Sequence, residues 1–185
     1  MKKHLTINNQ RYFEFIKTTN ASDLIEIWLF AHCIFCVTTG TGPDTLPNVY
    51  RRPTLFLNML PLLYLHDYHH TLTVPKHLSW KDTGRLLTLN EHLEHDYLRD
   101  ERYDQNGIVI TDLNSKEILE ATKEFYERFF GIFEQTQENL DLQNCFWFLF
   151  TSSKKYNLHH NWKHPEARVG EKWLSKTGMQ FFNKN

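Results

Sequence analysis

Thr38-Thr39-Gly40-Thr41-Gly42-Pro43-Asp44-Thr45-Leu46-Pro47-Asn48-Val49-Tyr50 is the stretch on which the fold turns. Before it, Cys33 to Thr38 is apolar and short, the pattern of a buried strand. Gly40 and Gly42 permit a tight turn after that strand. Pro43 suits the first turn of a helix, and Thr41 is placed to cap it. Arg51-Arg52-Pro53 closes the helix, because proline disfavours helical backbone at the residue before it. Thr54 to Met59 (Thr-Leu-Phe-Leu-Asn-Met) then reads as a second buried strand. Strand, glycine turn, helix and strand make a βαβ unit with parallel strands and a right-handed crossover.

On the amino-terminal side, a helix is expected from Ser22 or Asp23, with Asp23 and Glu26 at capping-box spacing. Leu24, Ile25, Ile27, Trp28 and Ala31 supply its apolar face. Residues 1–21 are polar and read as an extension or remnant. On the other side, Pro61 to Asp104 is irregular, with a helix expected near Leu89 to Leu98. Gly107 to Asp112 reads as a third strand. Asn114 and Glu117 stand as N-cap and third helical residue of a helix with Ile118, Thr122, Phe125, Phe129 and Phe133 on one stripe, read as core. A further helix is expected over Asp141 to Phe150, and a last one through Trp173 and Leu174. The expected class is α/β with three strands, which is few for a doubly wound sheet.

With 185 residues, the chain has room for one ordinary domain. Its 41% hydrophobic and 23% charged residues match a globular chain and argue against disorder. A formal charge of −1 provides no general field for nucleic acid, and no basic patch stands out. Three cysteines are too few for a disulfide framework, and Cys33 and Cys36 sit in an apolar run that reads as core. The amino terminus carries no signal-peptide pattern and no run reaches membrane-spanning length. A cytoplasmic location is expected, extending to the inner face of the membrane.

The glycine turn is the first candidate for chemistry. Open α/β sheets bind ligands beyond the carboxyl ends of their strands, and backbone amides there favour phosphate. Thr39, Gly40, Thr41, Gly42, Pro43, Asp44 and Thr45 therefore either cradle a phosphate group or form a purely structural turn. Lys76 either neutralises a phosphate oxygen or is solvated surface. Arg168, in Glu166-Ala167-Arg168-Val169-Gly170, either contacts phosphate or sugar or pairs with Glu166. His66, His69 and His70, the pair His92 and His95, and His159, His160 and His164 read as hydrogen-bonded or surface residues, and no metal site is assigned.

Thr41 to Phe56 resembles the donor-binding turn, helix and strand of bacterial GT-B glycosyltransferases, whose heptosyltransferase-like branch reads Ser-Gly-Pro, a short helix, Gly-Lys-Pro and an apolar strand. Gly107 to Ile118 is similar to the strand, Asp and Glu-Ile helix that close the carboxyl-terminal domain of such enzymes. Together with Val74-Pro75-Lys76-His77-Leu78 and Ala167-Arg168-Val169-Gly170, the chain looks closest to a poorly characterised bacterial family of glycosyltransferases linked to surface polysaccharide synthesis. The resemblance spans about residues 22–175 and implies one Rossmann-like, donor-binding domain with a parallel sheet over them, followed by a tail over 176–185. It implies that Thr39 to Thr45 face a donor diphosphate, with Lys76 and Arg168 as further donor contacts. Leu46 stands near the position where relatives carry a ribose-binding glutamate, and Arg51-Arg52 replace Gly-Lys.

The resemblance implies transfer of a sugar from a nucleotide-sugar donor to a glycan or lipid-linked acceptor. The nucleotide sugar is the substrate, and no cofactor is expected. GT-B enzymes place the acceptor site and usually the base on a preceding domain. The chain is therefore expected to act as the carboxyl-terminal, donor-binding part, completed by that domain or by oligomerisation, and no catalytic residue is assigned. The alternative is an inactive remnant that binds a nucleotide or a partner.

Overall fold

The computed structural model describes residues 22–40, 42–160 and 162–183. The expected amino-terminal segment 1–21 and Thr41 lie outside the described residues. The βαβ reading holds. β1 (Cys36–Thr38), α2 (Thr45–Val49) and β2 (Thr54–Met59) follow one another, and β1 pairs with β2 in parallel. β2 and β3 (Thr71–Pro75) are buried along almost their whole length, as an interior pair of a parallel sheet requires. β6 (Arg168–Val169) joins β3, giving a four-stranded parallel sheet in the order β1-β2-β3-β6. The order never reverses within this sheet, so it contains no internal switch-point crevice.

Several expectations are corrected. The strand drawn from Cys33 begins only at Cys36, because α1 (Asp23–His32) ends on Cys33, whose amide closes the last turn onto the Leu29 carbonyl at 2.9 Å. Ser22, rather than Asp23, caps α1 by accepting from the Ile25 amide. The cysteines are half-buried and free, not core. β3 and β6 lie where irregular chain was expected, because β3 is buried on both faces and shows no alternation, and β6 has only two residues. The strand Gly107 to Asp112 exists as β5 (Ile108–Thr111), but it pairs antiparallel with β4 (His77–Trp80) in a separate two-stranded sheet.

The helices carry their signals more faithfully. α3 (Leu89–Glu94) stops four residues short of Leu98 and opens on a capping box of Thr88 and Glu91. After α4 (Asp100–Gln105), α5 (Ser115–Phe129) has the Asn114–Glu117 capping box that its sequence announces. Phe125 of its stripe is buried, but Phe129 is exposed at the rim and Phe133 lies past the helix end, so the stripe is core only in part. α6 (Gln137–Thr151) starts four residues earlier than expected, on Thr136 as cap. α7 (Lys154–His159) and α8 (Glu171–Thr177) follow, and Phe181 and Phe182 beyond α8 are still buried.

The main core joins Leu55 and Leu57 of β2 and Leu72 and Val74 of β3, which share one face of the sheet, to Phe125 of α5 and Phe146 and Phe150 of α6. A smaller cluster of Leu78, Leu87, Tyr103 and Ile108 sits under the two-stranded sheet. Asn58 links the two regions. It interrupts the β2–β3 register with φ 55°, and its side-chain oxygen accepts from the Leu113 amide at 2.8 Å. By contrast, α1 buries no residue, and its Leu24 and Trp28 are 77% and 56% exposed. The apolar face expected to pack is largely exposed among the described residues, and α1 makes its contacts with α2 instead.

Candidate functional site

The carboxyl edge of the parallel sheet collects Gly40 after β1, Met59 at the end of β2, and Lys76 after β3. The glycine turn is built by local bonds. Gly40 and Gly42 adopt φ of 75° and 95°, and the Gly40 amide donates to Thr38 Oγ1 at 3.3 Å. Thr45 donates from both its amide and its hydroxyl to the Gly42 carbonyl, at 3.1 and 2.9 Å, and the Leu46 amide donates to Pro43. The expected phosphate cradle is corrected in its mechanism. α2 has only five residues, its N-cap is Asp44 rather than Thr41, and the amides of Gly40, Thr45 and Leu46 are already engaged.

A Cβ on Gly40 would meet Met59 Sδ at 3.6 Å, an ordinary contact, so space does not demand the glycine. Its φ does. Gly40→Ala is expected to cost about 1–2 kcal/mol, the usual penalty for a side chain in left-handed backbone. Thermal denaturation should show a Tm lowered by a few degrees.

What stands out at this edge is Asp44. It is 4% exposed, its side chain makes no capping bond, and its Oδ2 has no hydrogen-bond partner among the described residues. A buried polar atom without a partner is costly, and Asp44 shares that condition with side-chain atoms of Thr73, His92, Tyr103, Glu171 and Trp173, but it alone lies at the glycine turn. The His66 ring faces it, with Nε2 3.9 Å from that oxygen, beyond hydrogen-bond reach. His66 stacks on fully buried Phe56 at 4.1 Å between ring centres. Burial lowers the His66 pKa against the opposing pull of Asp44 and Asp67, which favours the neutral ring. Cys36 is close enough to feel Asp44. Burial, then Cys33 and Asp44, push its thiol up to about 11, so it is protonated at neutral pH and not a thiolate nucleophile.

The two outlying candidates separate. Lys76 does reach the carboxyl edge, but its ammonium pairs with Asp112 at 2.9 Å. Arg168 is not at this site. Its register row runs Val37, Leu55, Leu72, Arg168, three strands from β1 and three residues short of Gly40. Its guanidinium turns back to the carbonyls of Pro165 and Ala167, and it forms no close ion pair with Glu166. Glu166 instead faces histidines. The structure therefore brings together the turn, Asp44 and Lys76, adds His66, and leaves Arg168 out. His66 lies in a stretch with no periodicity, so only its place after the second strand hinted at this edge.

Compared with known proteins, the chain matches no family model, no curated protein and no solved structure. Among the described residues no helix is long and apolar enough to cross a membrane.

Proposed function

We propose that the chain is the donor-binding part of a glycosyltransferase of the GT-B type, which holds a nucleotide sugar at the carboxyl edge of its parallel sheet during transfer to a surface-glycan or lipid-linked acceptor on the cytoplasmic side. The observation that carries this reading is the unpartnered buried oxygen of Asp44 beneath the two-glycine turn. A sugar or ribose hydroxyl that reached it by displacing the turn that covers it would replace a missing hydrogen bond, a gain on the order of 1–3 kcal/mol before the cost of that displacement. The resemblance of Thr41 to Phe56 to a donor-binding element supports the same place. The hydroxyl of Thr39 and the ammonium of Lys76 are the groups that could meet a diphosphate, Lys76 by exchanging Asp112 for phosphate, while the Thr45 hydroxyl would have to leave the Gly42 carbonyl to join them.

A second reading is a non-catalytic module that binds a nucleotide or partner and is completed by another chain. The exposed apolar residues of α1, Leu24 and Trp28 foremost, favour it.

Thermal melts against UDP, GDP, ADP and CMP separate the two. For a donor site, one nucleotide at a hundred times its Kd adds about 2.7 kcal/mol. This corresponds to a rise of roughly 5–11 °C in a domain of this size. Asp44→Asn, which keeps the shape but turns an acceptor oxygen into a donor in one orientation, is expected to reduce that rise severalfold. A melt indifferent to all four nucleotides removes the donor-site reading and leaves the partner-completed module.

A further inference from the structure

The opposite, amino-terminal edge of the sheet carries a second constellation. His69 and His70 immediately precede β3, and His164 and Glu166 precede β6, the strand paired with it. His69 Nδ1 lies 3.4 Å from His164 Nε2 and 3.3 Å from Glu166 Oε2, and His70 Nε2 lies 3.1 Å from that same oxygen. Suitable ligand atoms of His69, His164 and Glu166 all fall within 4.8 Å of one another. Tetrahedral zinc with bonds of about 2.0–2.1 Å sets neighbouring ligand atoms about 3.3 Å apart.

Hydrogen bonding alone accounts poorly for this arrangement. His69 Nδ1 faces a ring nitrogen and a carboxylate oxygen at once, and a single proton or lone pair serves only one of them well. The 3.4 Å nitrogen–nitrogen separation is long for a strong N–H···N bond. A cation between the three atoms satisfies all of them together.

The loops are also fixed in advance. The His164 amide donates to the Asp67 carbonyl at 2.9 Å, tying the two loops together, and the Ala167 amide donates back to His164 at 3.0 Å. Thr71 Oγ1 donates to the carbonyls of His66 and Tyr68, and the Thr54 amide holds the His70 carbonyl. His70 itself takes φ 48°, uncommon for a residue with a side chain, and from there its ring reaches Glu166.

We infer that His69, His164 and Glu166 form a binding site for a zinc-class divalent transition-metal ion, with His70 holding the carboxylate and the fourth position left to water. Two imidazoles and one carboxylate suit zinc and its neighbours, whereas magnesium and calcium take oxygen ligands. The ion would clamp the lead-in loops of β3 and β6, at the end of the sheet away from Asp44. Binding at His164 Nε2 moves that ring's proton to Nδ1, which now accepts from the Glu166 amide at 3.2 Å. Loading therefore also breaks this contact.

The test uses the full chain, free of any affinity tag and stripped with chelator, titrated with ZnCl2 by calorimetry and followed by thermal melting. One ion per chain is expected, with Tm raised by roughly 5–11 °C at a hundredfold excess over Kd. MgCl2 at the same concentration should leave Tm unchanged. The Glu166 amide resonance should shift on loading. His164→Ala should lose the zinc response, and exposed His159→Ala should keep it. If metal-free His164→Ala does not melt cooperatively, Glu166→Gln and His69→Gln carry the comparison, since both side chains are more exposed than His164. No zinc binding, an equal response in the ligand variants, or an equal shift with magnesium overturns the proposal.

Discussion

Arg128→Met is expected to cost the fold about 3–5 kcal/mol, the loss typical when one partner of a buried ion pair is removed. This corresponds to a Tm lowered by roughly 6–20 °C. Arg128 stands on α5 between two carboxylates that are almost fully buried. Its Nε donates to Glu124 Oε1 at 3.2 Å, and its Nη2 donates to Glu171 Oε1 across to α8. Its guanidinium also lies 3.9 Å over the Phe133 ring, and Nη1 reaches Gln135 at 3.2 Å. Glu124 in turn accepts the Glu171 amide at 2.9 Å, so the first turn of α8 hangs on the same network. Methionine fills much of the volume but leaves both acids uncompensated. Adding Glu124→Gln or Glu171→Gln to Arg128→Met should recover part of the loss, and no recovery would mean that the cost was one of packing alone.

The same network gives a pH dependence with a definite sign. Burial pushes Glu124 up to about 7 despite Arg128, while the unfolded chain titrates near 4.5. Between those values the folded state binds the proton and the unfolded state does not. The stability this group contributes is thus full below about 4.5 and is lost as pH rises through about 7. His92 acts oppositely over an overlapping range, because complete burial lowers it to about 3 and its contribution is lost as pH falls below about 6.5. The informative quantity is therefore the Tm difference between the wild type and Glu124→Gln. That variant, which cannot ionise at 124, should gain relative to the wild type as pH rises from 5 to 7.5. A difference that stays constant would remove Glu124 from the pH response.

The βαβ start of the sheet was legible because each signal there is local. Two glycines, a proline on either side of a short helix, and the apolar run of β2 need no partner to be recognised. The Asn114–Glu117 capping box was legible for the same reason. β6 was not, since Arg168 and Val169 form a strand only because β3 offers them a ladder. β5 has the pattern of any buried strand, and nothing within it distinguishes a parallel neighbour from the antiparallel β4. At the candidate site, Asp44 could be placed in the turn from sequence, but its burial depends on Met59, His66 and the sheet edge. The histidine–glutamate cluster joins residues nearly a hundred positions apart, and spacing along the chain carries no trace of it.

Phe56→Ala should then do two separable things. Phe56 is fully buried in β2, and truncating such a ring costs about 3–5 kcal/mol through lost transfer energy and the cavity left behind. Phe125→Ala, at a buried position on α5 in ring contact with Phe35, should cost a similar amount. The two variants part company at His66. Phe56 is the platform on which the His66 ring stacks, with the planes 23° apart, and it helps keep that ring dry. Without it, water reaches the imidazole and the burial that lowers its pKa is relieved, so the His66 pKa should rise toward 6.5. NMR titration of the ring protons would read that rise in Phe56→Ala and its absence in Phe125→Ala. A His66 pKa unmoved in both would mean that the ring is held by the 66–70 loop itself, and that β2 supports the Asp44–His66 pair only through its backbone. A rise confined to Phe56→Ala would make the buried strand a direct determinant of the electrostatics at the carboxyl edge, because the ring that fills the core is the ring that excludes water from the site.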